Sequence, residues 1–561
     1  MSQPPSQPPS QPPDPYARDA ESFLEPPRGI GPMMGWLGPG LILVGSIVGS
    51  GELIMTTKLG AQAGFVLLWF VVLSCVIKTP VQAELGRHVI SSGETVLVMF
   101  NKLPGPRGRR PVWLGLPWLT IVVFSSLFGI AALSWFSPTG TDDTAGGWLL
   151  RLALVGLSVL ATWFVAAYWL VRRWQPAQRS GEPEAERPLV GWFLWVYLGC
   201  QLVMFINSGA VIGGAGQALE LGLRNWISLE SWVWTVGIAV FCGLLLLSGR
   251  YSALERGSLV MVSLFTLTTL VCVVLLGRTE HALQGSELLS GFSFSLIGSP
   301  GEGVSHGDVA LTTLGMYAAT GIGTWEMMHY TYWCVEKGYA RHAGANQPGE
   351  AWVMRARGWV RVMYTDALLT MVVFTISTIC FFILGASILY PDYDPNGLET
   401  LRLLQRIFTD SLGSWAAALF VIGGFVVLFS TTFSGTAGTS RLVADAMGVI
   451  GVLDAKDYAA RLRFSRIWIV FGLSMGCLTY YLIENPPLML IISGFVSVVM
   501  YPIFGLGTIY LSYRRVDPRL RPGRLASTLL WICGISLAII SPVAAAFGVA
   551  LKQGWIVLPG T

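Results

Sequence analysis

Hydrophobic residues in this chain gather into blocks of about twenty, separated by short polar segments. The blocks lie at about 34–57, 64–89, 112–136, 146–171, 189–221, 229–248, 255–277, 309–336, 362–390, 410–436, 464–484, 487–512 and 526–550. About twenty apolar residues wound as a helix cross the hydrocarbon layer of a bilayer, and only a helix satisfies its own backbone there. Each block therefore predicts one transmembrane helix, about 13 in all. Ahead of them, residues 1–32 open as a Pro/Ser/Gln repeat, MSQPPSQPPSQPPDP, with no apolar core of a signal peptide. Such a composition predicts a disordered tail. Residues 33–561 are then expected to form a single transmembrane domain.

The loop charges provide an independent check on the count. Lys and Arg collect in alternate loops: Lys102, Arg107, Arg109 and Arg110; Arg172, Arg173, Arg179 and Arg187; Arg250 and Arg256. The series continues with Lys337, Arg341, Arg355, Arg357 and Arg361, then Lys456, Arg461, Arg463 and Arg466, then Arg514, Arg515, Arg519, Arg521 and Arg524. The loops between them are acidic or nearly uncharged, with Asp142 and Asp143, then Glu280, Glu287 and Glu302, then Asp392, Asp394 and Glu399. Basic loops stay cytoplasmic, so the N-terminus is expected inside and, after thirteen spans, the C-terminus outside. A miscounted span would break this alternation.

Composition agrees with lipid as the solvent. The chain is 53% hydrophobic and 12% charged, against about 25% charged in a soluble domain. Its 22 Trp and 17 Tyr suit two membrane–water interfaces. The net charge of +4 is small and sorted by loop, which speaks against a nucleic-acid partner and leaves the lipid bilayer and a small ion or solute. All eight cysteines lie in apolar runs without a CxxC pair, so neither a disulfide framework nor a thiolate metal site is expected. No nucleophile–base motif, P-loop or HExxH appears, so the chain does not read as an enzyme and no cofactor is expected.

Two segments carry chemistry into the membrane. The first block centres on Gly49-Ser50-Gly51-Glu52, and the eighth contains Thr320-Gly321-Ile322-Gly323-Thr324-Trp325-Glu326. Paired interrupted helices mark a transporter's binding site, because unwinding frees carbonyls and half-helix ends near the midplane. Glycines that merely let helices pack closely would explain either segment alone. Two such segments, each with a costly intramembrane carboxylate, favour the site. Gly49, Glu52, Gly321, Thr324 and Glu326 are the candidate substrate-binding residues. His329, three residues beyond Glu326, is on the same face if the helix has resumed; Glu326 with His329 could relay protons, or His329 could ligate, and a hydrogen-bonded packing histidine fits the position equally well. Lys58, Lys78, Glu84, Arg87, Glu220, Asp366, Arg441 and Asp445 lie near span ends, where snorkelling or pairing accounts for most of them. Lys78 and Glu84 are the exceptions to watch.

The first block, GPGLILVGSIVGSGELIMTTKLGAQAGFVLLW, resembles the first helix of the natural-resistance-associated macrophage protein (Nramp) family of divalent metal transporters, with its DPGN break and following AGAQYGYxLLW. VIGGAGQAL at 211–219, FSTTFSGTAG at 429–438 and the Tyr501-Pro502 region are similar to later family helices. The resemblance covers nearly all of 34–550 except an extra helical pair at about 112–171. It implies a LeuT-like all-α membrane fold: two inverted repeats of five helices, a C-terminal helix and the inserted pair. The site itself departs from the family. Gly49 stands for the Asp of DPGN and Glu52 for its Asn; Thr324 stands for the sulfur-donating Met of the sixth helix and Glu326 for the following His. Asn207 and Ala210 replace acids linked to proton flow, and Gly494 replaces a Gln.

The resemblance implies a secondary-active, Nramp-type carrier working by alternating access. Glu52, Glu326 and Thr324 would form a hard oxygen set for Mg²⁺ or Mn²⁺ rather than softer ions. Same-fold transport of a small organic or zwitterionic solute, and a non-transporting membrane sensor, are the alternatives. On this reading Glu52→Gln abolishes transport while leaving folding and membrane insertion intact.

Overall fold

The computed structural model describes residues 23–110, 188–248, 251–295, 300–454 and 457–556. Among them, the elements are helices joined by short loops, plus one two-stranded hairpin. The inserted pair expected at 112–171 lies outside the described residues.

The helices, in chain order, are α1 (Ile30–Met34), α2 (Pro39–Ile47), α3 (Thr57–Ala63), α4 (Leu68–Ser92), α5 (Val96–Phe100), α6 (Trp192–Leu223), α7 (Ser231–Leu247), α8 (Tyr251–Leu276) and α9 (Gly285–Ser290). They continue with α10 (His306–Ala319), α11 (Thr324–Glu336), α12 (Tyr339–Ala343), α13 (Glu350–Leu384), α14 (Thr400–Leu412), α15 (Ala416–Ile450), α16 (Tyr458–Ile483), α17 (Pro486–Arg514) and α18 (Arg524–Lys552). Seven of them (α4, α6, α13 and α15 to α18) are individually long and apolar enough to cross a membrane. α7 and the Val262–Leu276 part of α8 are shorter apolar helices. The first crossing is split into α2 and α3 and the sixth into α10 and α11. Eleven crossing elements result among the described residues, with breaks five elements apart. This is the LeuT-like arrangement of two five-element repeats followed by one more helix.

The helices run further than hydropathy alone suggests. α13 starts at Glu350 rather than near 362, and α15 continues to Ile450 rather than ending near 436. A helix need not stop where the hydrocarbon stops; α15 ends where Gly451 takes a left-handed conformation, φ +80°, at its C-cap. α14 was not expected at all. Its buried Leu401, Leu404, Ile407 and Phe408 form one stripe at helical spacing, but its other face is polar, so it does not resemble a span.

Strands β1 (Arg107–Arg109) and β2 (Leu189–Gly191) pair antiparallel, with Gly108 opposite Val190. The Arg110 amide donates to the Pro188 carbonyl at 3.1 Å. Residues 110 and 188, on either side of 111–187, are therefore held next to each other.

The tail expected to be disordered over 1–32 is held in place from Phe23 onward. The Leu24 amide donates to the His342 carbonyl at 3.0 Å, Trp359 Nε1 donates to the Leu24 carbonyl at 3.0 Å, and Phe23 stacks under the Arg355 guanidinium at 4.2 Å. Phe23 and Leu24 are apolar residues of a kind that the Pro/Ser/Gln repeat does not contain. α2 begins at Pro39, whose fixed φ suits a first helical turn. Its free amides are taken by Asp366 of α13: Gly38 N to Oδ1 at 3.1 Å and Gly40 N to Oδ2 at 2.6 Å. A carboxylate at a helix N-terminus meets both unpaired N–H groups and the positive dipole end.

Candidate functional site

The first crossing loses its α-winding after Ile47. Val48 swings to ψ 88°, and the helix resumes through a π-turn over Gly51–Thr56 before α3. The sixth crossing is interrupted over Thr320–Gly323, where Gly321 sits at φ +65°, a conformation that resists a side chain. The two breaks touch. A Cβ on Gly51 would lie 2.0 Å from the Ala319 carbonyl oxygen, so glycine is what allows this approach. Thr56 Oγ1 donates to the Gly51 carbonyl at 3.0 Å and lies 3.1 Å from Thr320 Oγ1, which is left to act as donor to it.

Glu52 joins the breaks. It is fully buried; its Oε2 accepts the Gly49 amide at 3.2 Å and its Oε1 accepts the Gly321 amide at 2.9 Å. Two N–H donors answer a carboxylate that would otherwise be expensive in hydrocarbon. Lys78 of α4, also fully buried, approaches from the other side, and its Nζ donates to the Tyr317 and Thr320 carbonyls at 2.5 and 2.7 Å.

Glu326 is placed differently. It lies in the first turn of α11, half-buried, on the shared wall of two adjoining cavities of about 70 and 60 Å³. Gly321 and Thr324 line the smaller cavity with it, and His329 lines the larger. Gly49 and Glu52 lie behind the wall. His329 Nε2 is 3.3 Å from Thr439 Oγ1; Glu326 and His329 both lie in α11 and both line the larger cavity.

Several wall residues were not anticipated as such. Ser46, Met204, Asn207 and Thr431 line both cavities, and Ser493 and Ser497 line the smaller. Ser46 Oγ is buried without a hydrogen-bond partner. Ser493 donates to Asn207 Oδ1 at 3.1 Å, and Trp325 Nε1 donates to Gln201 Oε1 at 2.8 Å. The sixth helix offers Thr324 in place of the Met, while α6 brings Met204 to the same wall. A methionine inside an apolar helix gives no sequence signal of facing a cavity. Among the described residues, no group of three or more His, Cys, Asp or Glu side chains is arranged to hold a metal ion.

Most other membrane charges are paired. Lys58 Nζ contacts Asp394 Oδ1 at 2.5 Å and the Pro395 carbonyl at 2.9 Å. Arg87 Nε contacts Glu84 at 2.9 Å, and Arg441 Nε contacts Glu336 at 2.5 Å. Asp445 accepts from Thr95 and Tyr332 at 2.5 Å each and from Arg461 at 3.0 Å.

The family model described as "Natural resistance-associated macrophage protein-like" (Nramp) matches residues 185–545. The chain belongs to the Nramp family. This Nramp chain is 21% identical over 531 residues to an uncharacterized protein of Pasteurella multocida (strain Pm70), covering 93% of each chain. Its fold matches the crystal structure of the Eremococcus coleocola manganese transporter in complex with an aromatic bis-isothiourea substituted compound. There the TM-score is 0.57 at 13% identity, over 96% of both chains. A mutant structure of the same manganese transporter gives a TM-score of 0.58 at 13% identity, over 96% of this chain and 92% of that one. The chain is thus a multi-pass membrane protein of Nramp transporter type.

Proposed function

We propose that this Nramp chain is a secondary-active carrier of a small divalent cation, moved by alternating access through the junction of the two helix breaks. The observation that carries this reading is Glu326, a carboxylate on the common wall of two cavities beside both breaks. Around it stand the hydroxyls of Thr324, Thr431 and Ser46 and the amide of Asn207. An oxygen-rich set with one carboxylate suits Mg²⁺ or Mn²⁺, and Met204 gives the wall some tolerance for the softer of the two. The manganese transporter with the same fold lends the metal reading its prior. The basic loops face the cytoplasm, so the N-terminus is inside and the C-terminus outside. With Asn207 and Ala210 in place of acids, uptake depends weakly on pH.

One observation favours a second reading, transport of a small organic or zwitterionic solute. Glu52 spends both oxygens on backbone amides, leaving one carboxylate where a bare divalent ion prefers more. Uptake into proteoliposomes separates the readings. Saturable Mn²⁺ or Mg²⁺ uptake that Glu326→Gln removes supports the metal; uptake of amino or carboxylic acids alone supports the solute. Absence of any saturable flux identifies a sensor instead.

A further inference from the structure

Lys78 has no place in either reading, yet it is a fully buried cation beside the second break. Its side chain is fully buried in α4. Its Nζ donates to the Tyr317 carbonyl at 2.5 Å and the Thr320 carbonyl at 2.7 Å. Those carbonyls belong to the last turn of α10 and the first unwound residue after it. The ring of Tyr317, at 4.8 Å, and that of Tyr501, at 5.3 Å, present their faces to the ammonium, and such rings attract cations. The ammonium also attracts both Glu52 and Glu326 electrostatically.

A half-helix that ends inside a membrane exposes carbonyls at the negative end of its dipole, and in transporters with broken helices such ends coordinate the coupling cation. Here the coordination is already provided. Two carbonyls and two aromatic faces surround a positive charge that is covalently part of the protein.

We infer that the Lys78 ammonium is a tethered cation occupying the place where a co-transported monovalent cation would otherwise be needed. It balances the two carboxylates while the substrate is away, so the junction assembles without a second ion. This rests on the transport reading above. Lys78 is a positioning residue: it acts through α10 and the carboxylates and does not touch the cavity.

The test is Mn²⁺ uptake by proteoliposomes in isosmotic media of Na⁺, Li⁺, K⁺ or choline. Wild-type uptake should agree across all four within about twofold. In Lys78→Gln, which keeps a hydrogen-bond donor and removes the charge, uptake in choline should fall at least about tenfold, as expected when one charge of a buried set is lost. Na⁺ or Li⁺ should then restore part of it. Lys78→Arg, which keeps the charge, should remain independent of monovalent ions at whatever rate it supports. A wild type that needs Na⁺ or another monovalent ion overturns the inference and leaves the transport reading standing. So does a correctly folded Lys78→Gln that transports normally in choline, or that no small cation rescues. A purely structural lysine would lower thermal stability and uptake together, with no new ion dependence. A wild type that takes up no Mn²⁺ in any medium removes the Mn²⁺ reading on which the inference rests, and the inference falls with it.

Discussion

The two helix breaks look like copies in the amino-acid sequence, each glycine-rich and each followed by a glutamate, yet the structure uses them differently. In the first, the chain is unwound for only about a residue or two before a π-turn resumes, and Glu52 is directed back into the backbone. In the sixth, four residues stay out of the helix and Glu326 faces cavities. The reason lies in where the donors are. Gly49 and Gly321 both present free amides towards Glu52, so that carboxylate finds its partners inside the protein. Glu52 holds the two breaks together, whereas Glu326 takes its backbone hydrogen bonds from the start of its own helix, at Gly323, and keeps its place on the cavity walls.

The largest effect on this pair should come from separating the breaks. Gly51→Ala puts a Cβ within 2.0 Å of the Ala319 carbonyl, a contact with rigid backbone on both sides. Overpacking of this kind costs about 1–3 kcal/mol or more, and here it also pulls Glu52 away from Gly321. Loss of folded protein on detergent size-exclusion, or a large fall in melting temperature, is the expected result. A variant as stable as wild type would show that the breaks are not in contact.

Next come the two acids, which the same substitution should divide. Glu326→Gln should cut saturable uptake at least about a hundredfold while shifting the melting temperature little, since it removes a charge from a cavity wall. Glu52→Gln should act mainly on stability. A glutamine oxygen can accept only one of the two amides, and its NH₂ group faces the other as a second donor. Leaving a buried amide unpaired costs about 1–3 kcal/mol, and uptake should fall in step with it. From the sequence alone Glu52→Gln is expected to abolish transport with folding intact, so full stability without uptake would restore Glu52 as a direct ligand.

Much of this was legible from residue order. Apolar blocks separated by alternately basic and acidic loops point to a polytopic helical protein, because hydrocarbon allows little else. Gly49 to Glu52 and Thr320 to Glu326 mark the breaks, because glycine and carboxylate are both out of place in a lipid-solvated helix. The wall of the site was not legible. Ser46, Met204 and Thr431 are ordinary members of apolar helices, and only the packing of α2, α6 and α15 brings them together. Nor does the sequence say which acid bridges the two breaks; that depends on the ψ of Val48 and the φ of Gly321, set by the contact between the breaks. α14 escaped notice because it lies beside the bundle as an amphipathic helix.

The smallest effect concerns a contrast with the breaks, a carboxylate held by a partner charge in water rather than by backbone in hydrocarbon. Asp517, between α17 and α18, accepts from Arg519 Nη2 at 2.9 Å and from Asn346 Nδ2 at 3.0 Å, tying this loop to the segment that follows α12. The hydrogen bonds from Arg519 hold its carboxyl well below the usual carboxylate range. A carboxylate whose folded value is depressed adds stability above its ordinary pKa of about 4, and that stability is lost as pH falls below it. The pair is partly exposed, through Arg519 more than Asp517, so water and salt screen it. Asp517→Asn should therefore lower the melting temperature at pH 7 by only about 1–2 °C, and high salt should shrink the gap. The gap between wild type and variant should begin to narrow as pH falls through about 4, where the unfolded carboxylate protonates, and keep narrowing as pH drops further towards the depressed folded value. A gap that persists unchanged at low pH would mean that the Asn346 contact, not the charge, fastens this loop.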